Sequence, residues 1–295
     1  MDLRSGSATF GNKISGNGGE SNIKAYQNIV FSNLNCDNIH GISKAFDLMS
    51  KISDGWNKKR FIKLIHDSYW MQHLSLHLRA VDQAGDHMTH GFSVLIHCSD
   101  GWDRTPTICS LVELVWKKQY RTIEGFCNLI EKEWVLPGHQ FATRMGQNPK
   151  DHPADQVSPT FTFFMDCVHQ LWHQHLGEFE FNLQMILDIN YLMYTGIFGS
   201  SMMNCEMERS TGLKCSTTSL WSYILQKKPK YTNPLFHHSH SKLSVSYFVS
   251  NLRFWKELWL SSPLLHHNHV FTSENPWEAL LFDRSQKLVK ENAKL

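Results

Sequence analysis

Residues 94–107, VLIHCSDGWDRTPT, place a cysteine, two aspartates, a tryptophan and an arginine between an apolar run and a Thr-Pro pair. A short apolar strand ending at His97, a tight loop over 98–104 and a helix starting at Thr105 would form an anion cradle. Backbone N–H groups converge in such a loop, and the helix dipole adds about half a positive charge at its mouth. A cysteine there, Cys98, becomes a thiolate nucleophile, since helix N-termini bring thiols from ~8.5 into the ~3.5–7.5 range. Arg104, six residues on, can grip two oxygens of a phosphate at once and follow them into a transition state. With seven cysteines and nine arginines a bare C-x5-R pair arises by accident roughly 0.2 times in such a chain, so the context carries the weight. A cysteine merely filling space in a core needs neither the strand-loop-helix setting nor the arginine.

Displacing an ester oxygen with a thiolate also needs an acid for the leaving alcohol and later a base for water. Asp100 and Asp103 are the local candidates, and their spacing does not choose between them. An ordinary aspartate near ~3.9 is ionised and repels phosphate, so the acid has to be raised by its surroundings or by the incoming dianion. Asp100 also suits a turn ahead of Gly101.

The elements that must hold this loop can be read around it. Residues 1–25, with Gly16, Gly18 and Gly19, carry no hydrophobic period and read as a loop or frayed terminus. Residues 26–34 and 92–97 read as strands. Helical spacing covers 42–52, about 58–88, 105–117 with Thr105 as cap and Pro106 at the first turn, and 121–134. Ser158-Pro159, Asn182 and Thr217 or Thr218 open further helices; 229–236 is a connector; 245–260 and 273–295 have helical character. The expected architecture is α/β: a partial central sheet followed by a predominantly helical C-terminal layer.

Composition bounds the rest. The chain has 295 residues, 41% of them hydrophobic, enough for one sizeable domain. A net charge of +2 with no like-charge block argues against a nucleic-acid partner. No apolar run approaches a membrane span, and the first 25 residues lack the apolar centre of a signal peptide, which predicts a soluble cytosolic protein. The seven cysteines are odd in number and scattered, which speaks against a disulfide framework or a structural zinc, and the His-rich runs at 237–240 and 266–269 offer no fixed metal geometry.

The run His97-Cys98-Ser99-Asp100-Gly101-Trp102-Asp103-Arg104-Thr105 resembles the signature of the myotubularin-related phosphoinositide 3-phosphatases, a branch of the cysteine-dependent phosphatases. Tyr26-Gln27-Asn28, Asn38-Ile39-His40, Tyr120-Arg121-Thr122, the segment 129–134, Gly138-His139, Ser158-Pro159, the segment 179–182, Phe198-Gly199 and Asn233-Pro234-Leu235 are similar to further landmarks, over about residues 2–260. The resemblance implies a cysteine-dependent phosphatase fold and metal-free hydrolysis of the 3-phosphate of phosphatidylinositol 3-phosphate, with the 3,5-bisphosphate as a second substrate. It implies Cys98 as the residue that becomes phosphocysteine and Asp103 as general acid. Ser99, Asp100, Gly101, Trp102 and Arg104 would line the phosphate and headgroup pocket. Asn12 and Asn38 fall where pocket asparagines belong, and Arg144 where a second headgroup-binding basic residue belongs. The implied divisions are a Gly/Ser/Asn-rich segment over 1–25 (the family's substrate-loop region), a phosphatase domain over 26–260 and a tail with a helix over 261–295. The implied partners are a phosphoinositide headgroup, a membrane touched peripherally, and a second copy or a related myotubularin, in the cytoplasm on endosomal surfaces.

Three departures qualify the likeness. Gln140 stands where the family has a basic residue, removing one charged contact worth ~1.5–3 kcal/mol, so preference for the bisphosphate is not expected. Thr107 replaces the usual glutamine after the loop. Family members also carry a lipid-binding domain of the pleckstrin-homology/GRAM type and the first strands of the phosphatase sheet ahead of this chain's first residue, so the chain is expected to be a fragment. An active lipid phosphatase is the leading expectation, a regulatory scaffold pairing with a related phosphatase the second, and a protein phosphatase the third.

Overall fold

The computed structural model describes residues 1–5, 29–53, 57–147, 153–212, 217–237 and 242–261. Twelve α-helices lie in them: α1 (Ile39–Ser50), α2 (Lys58–Ser68), α3 (Trp70–Thr89), α4 (Arg104–Trp116), α5 (Ile123–Ile130), α6 (Phe141–Arg144), α7 (Thr160–Gln174), α8 (Leu183–Tyr194), α9 (Glu206–Gly212), α10 (Leu220–Gln226), α11 (Lys228–Tyr231) and α12 (Lys256–Ser261). The most deeply buried is α7, in which Phe161, Phe163, Phe164, Met165, Val168 and Leu171 leave almost no solvent-facing side. Phe163 meets Trp70 of α3 edge-on at 5.2 Å, and Phe161 meets Trp134 at 5.2 Å. Its one buried carboxylate, Asp166, accepts from Trp70 Nε1 at 2.8 Å and Gln170 Nε2 at 2.8 Å, which meets the need of a buried acid for partners.

The expected sheet is reduced to bridges among the described residues. Asp2 bridges in parallel to Asn33 on one side and to His97 on the other. Asp2 N–H donates to Ser32 O at 2.8 Å, Leu34 N–H to Asp2 O at 2.9 Å, and Leu3 N–H to His97 O at 2.9 Å. Asn33 and His97, one from each segment expected as a strand, thus lie on either side of Asp2. The reading of residues 1–25 as loop is corrected at this end: Asp2 and Leu3 are fully buried, and Asp2 holds Arg4 through bonds of 2.8–3.1 Å. Three residues are too few to show an alternating pattern. Residues 6–28, including Asn12 and the start of the first expected strand, and 262–295, including the expected terminal helix, lie outside the described residues.

Other boundaries moved for local reasons. The long helix expected over 58–88 breaks at Tyr69, whose φ of 57° is left-handed, dividing α2 from α3. The one expected over 121–134 is α5 followed by a π turn over Glu131–Val135. Asn182 caps α8 as expected, its side chain accepting from Met185 N–H at 3.1 Å. Ser219 rather than Thr217 or Thr218 caps α10, and the connector at 229–236 is overlapped at its start by α11. Helical spacing over 245–260 materialises only as a short 3-10 turn and α12.

Candidate active site

The loop over 98–103 leaves an isolated bridge at His97 and feeds into α4, so the loop-to-helix part of the expected setting is present, with a single bridge in place of the strand. Helix α4 is held by its apolar body: Ile108, Leu111, Val112, Leu114 and Val115 are buried, which fixes its N-terminus at the loop. Two donors converge on the Cys98 sulfur. Gly101 N–H donates to it at 3.3 Å and Thr105 Oγ1–H at 3.1 Å, while Cys98 is only 8% exposed. Gly101 makes this possible with a φ of 84°, and no atom lies within 4 Å of where a Cβ would stand.

Asp103, two residues before the expected cap Thr105, occupies the cap position without a side-chain cap bond, and the Thr105 hydroxyl donates to the sulfur instead. Arg104 sits beside the loop, donating from Nη2 to Ser99 Oγ at 3.4 Å and from Nη1 to Cys36 O at 3.3 Å. Ser99 and Asp100 are exposed, and Trp102 is half-buried. Cys98, Ser99, Asp100, Gly101, Trp102 and Arg104 are therefore gathered at one loop.

The Asp103 carboxylate is buried and gripped by Arg144, with Nε to Oδ1 and Nη2 to Oδ2 both at 3.0 Å, and Thr160 Oγ1 donates to it at 3.2 Å. Burial alone would raise its pKa. The His139 ring once acid has protonated it, the Arg144 guanidinium and the Thr160 hydroxyl outweigh that and hold it below the usual carboxylate range. Without a bound phosphate Asp103 is thus an ion-paired carboxylate, and acting as a general acid would require that pairing to loosen as the dianion enters.

Arg144 is engaged on its other side as well. Besides Asp103, its guanidinium donates to Gln156 O at 3.1 Å and Gln156 Oε1 at 3.2 Å, and the residue is 4% exposed. Arg144 also walls a cavity of about 500 Å3 with Lys44, Met145, Ser158 and Tyr194, and no residue of the 98–104 loop lines it. Asn38, expected in the pocket, is the cap of α1, accepting from His40 N–H at 3.1 Å and Gly41 N–H at 3.2 Å. Gln140 starts α6, and Thr107 is buried with its hydroxyl on Asp103 O at 2.8 Å, a structural use of the substituted position.

Sequence reasoning gave no site role to His139, Thr160, Thr105 or the Cys36 carbonyl. Thr105 carried a signal as the end of the signature run and Gly138-His139 as an unassigned landmark; the other two carried none. The His139 ring Nδ1 lies 2.6 Å from Trp102 O and 3.5 Å from Asp103 Oδ1.

A sulfur that receives a loop N–H and a hydroxyl at the head of a buried helix, with an arginine six residues on, is the arrangement expected of an anion-binding loop in a cysteine-dependent phosphatase fold. The profile of the myotubularin-like phosphatase domain matches residues 1–210, and the chain belongs to that family. It is 36% identical over 266 residues to phosphatidylinositol-3,5-bisphosphate 3-phosphatase MTMR6 of Mus musculus, covering 88% of this chain and 43% of the relative. To myotubularin of Xenopus laevis it is 36% identical over 263 residues, with 88% and 43% covered. To phosphatidylinositol-3,5-bisphosphate 3-phosphatase mtm-1 of Caenorhabditis elegans it is 35% identical over 257 residues, with 85% and 43% covered. The chain spans about two fifths of the length of these curated relatives.

Proposed function

We propose that this chain carries the catalytic loop of a phosphoinositide 3-phosphatase, acting on phosphatidylinositol 3-phosphate through a phosphocysteine, with the 3,5-bisphosphate as a lesser substrate. The observation that carries this reading is the Cys98 sulfur held by Gly101 N–H and Thr105 Oγ1–H beside Arg104. The names of the relatives supply the lipid class.

In this mechanism the Cys98 thiolate attacks phosphorus as the bond to the inositol 3-oxygen breaks. Loop N–H groups and Arg104 hold the three equatorial oxygens, whose charge is what such donors stabilise. The leaving oxygen takes a proton from Asp100, which is exposed on the loop and has no ion-pair partner among the described residues. A nearby phosphate dianion favours the protonated carboxyl that this step needs. Asp100 then draws a proton from water, which attacks the thiophosphate. Inorganic phosphate leaves and the thiolate is restored, with Thr105 Oγ1–H available to stabilise the departing sulfur.

Among the described residues no helix is long and apolar enough to cross a membrane. Membrane contact in this proposal is peripheral, at endosomal lipid, through headgroup capture. At about 1 kcal/mol per basic residue near an anionic surface, a net charge of +2 docks weakly, so recruitment by a second copy or a related family member is part of the proposal. A regulatory scaffold is the second reading, favoured by Gln140 and by a layer built of bridges alone among the described residues.

Phosphate release from short-chain phosphatidylinositol 3-phosphate tests the first reading. Wild type should turn over and Cys98→Ser should not, while Asp100→Asn should lower kcat by about 10²–10⁴, the usual worth of an acid-base group. No turnover by wild type would leave the scaffold standing. Full activity of Asp100→Asn would remove Asp100 from the acid role.

A further inference from the structure

His139 is buried at 2% exposure, behind the loop and outside the chemistry assigned so far. Gly138 (φ 90°) turns the chain into it, and its backbone is tied by His139 N–H to Trp134 O at 3.0 Å and by Phe141 N–H to His139 O at 2.8 Å. The ring packs edge-on against Trp134 at 4.8 Å and Phe141 at 4.6 Å, contacts that any aromatic ring of similar size could make. Its polar atoms are the unusual part. A carbonyl can only accept, so the 2.6 Å contact with Trp102 O puts the proton on Nδ1. Nε2 is buried with no partner, which fits an unprotonated atom, since a proton there would be a buried donor without an acceptor. Burial, ahead of the opposing pull of Asp103 and the Trp102 carbonyl, keeps the ring below the usual imidazole range. The titratable groups facing it are Asp103 and Arg144, already joined to each other.

The Trp102–Asp103 peptide is trans and planar, so its C=O and N–H point in opposite directions. Fixing Trp102 O on His139 therefore directs Asp103 N–H away from His139. The remainder of Asp103 is immobilised from the rear by Arg144, Thr160 and the Thr107 hydroxyl. The geometry points to His139 as a positioning residue, and we propose that by holding the Trp102 carbonyl it aims the Asp103 N–H into the loop as a donor to a bound phosphate. The proposal rests on the phosphate-loop reading above and adds to it a residue that touches neither substrate nor sulfur.

The test compares His139→Phe, which keeps the packing and loses the donor, with His139→Asn, whose Nδ2 stands where Nδ1 stood, and His139→Gln, whose amide reaches the Nε2 position instead. Orthovanadate is the probe, its Kd read from protection of Cys98 against iodoacetamide, alongside kcat and KM for the short-chain lipid and a thermal unfolding control. The Phe and Gln variants should bind orthovanadate about tenfold more weakly, the worth of one hydrogen bond to an anion. They should also lose about 10²-fold in kcat with KM little changed, as a misplaced donor does, and Asn should restore most of both. Wild-type binding by folded His139→Phe, or His139→Asn as impaired as His139→Phe and His139→Gln, overturns the proposal while leaving the function intact. If wild type binds orthovanadate yet turns over no lipid, the binding series alone decides. If orthovanadate does not protect wild-type Cys98, the loop reading fails and this proposal falls with it.

Discussion

Replacing Arg144 by methionine separates its two roles, as a clamp on Asp103 or as a headgroup contact. Both Arg144–Asp103 bonds are 3.0 Å, and the residues are 4% and 9% exposed. Two unit charges about 4 Å apart at an effective dielectric of 20 attract by about 4 kcal/mol, and removing one partner of a buried pair typically costs about 3–5 kcal/mol because the other is left uncompensated. Against a whole-domain stability of about 5–15 kcal/mol, Arg144→Met should shift the urea midpoint severely at pH 7. Adding Asp103→Asn to that variant removes the stranded charge, and the double variant should regain about 0.5–3 kcal/mol over Arg144→Met. The pH dependence carries a sign. The folded carboxyl is held below its ordinary value of ~3.9, so the pair contributes fully above that pH and is lost as pH falls through the folded value. Arg144→Met should therefore have a flatter acid limb than wild type. A loss under about 1 kcal/mol, coupled with a raised KM for the lipid, would refute the clamp and return Arg144 to the headgroup.

Two other predictions concern the loop backbone and a buried imidazole. Gly101→Ala meets no steric obstacle at its Cβ, so its effect is the left-handed backbone alone, about 1–2 kcal/mol in urea unfolding. Relaxing that strain pulls the 101 N–H off the Cys98 sulfur, and phosphate release should fall with it; unchanged turnover would disprove the role given to this N–H. His77 is fully enclosed, its Nδ1 donating to His73 O at 2.8 Å and its ring edge-on to Phe163 at 4.7 Å, and burial lowers its pKa to about 4. The unfolded chain takes up that proton near 6.5, so stability should decline as pH falls from about 6.5 to 4, by about 3 kcal/mol in all from this group. Urea midpoints at pH 7 and 5 should converge in His77→Phe, and an undiminished acid limb in that variant would assign the effect elsewhere.

What the sequence made legible was the local chemistry, because Cys98, Gly101, Arg104 and Thr105 lie within eight positions and a loop entering a helix follows from their neighbours. The strand before the loop is present only as a bridge at His97. A threonine ahead of a proline reads as a cap on propensity, whereas the cap is Asp103 and the Thr105 hydroxyl donates to a sulfur, a contact that pattern alone does not show. The same limit acts at Asn38, where a pocket role and a helix cap call for the same residue type, and the cap shows only in the bonds from His40 and Gly41 N–H. Long-range pairing was illegible for a different reason. Asp103 and Arg144 are 41 positions apart, and a sequence shows two charged residues without showing that each neutralises the other. An isolated loop aspartate can be an acid and an isolated arginine a phosphate ligand, but here each is joined to the other. The proposed mechanism takes its protons from Asp100 because that carboxyl stands on the exposed side of the loop, whereas Asp103 would first have to loosen from Arg144.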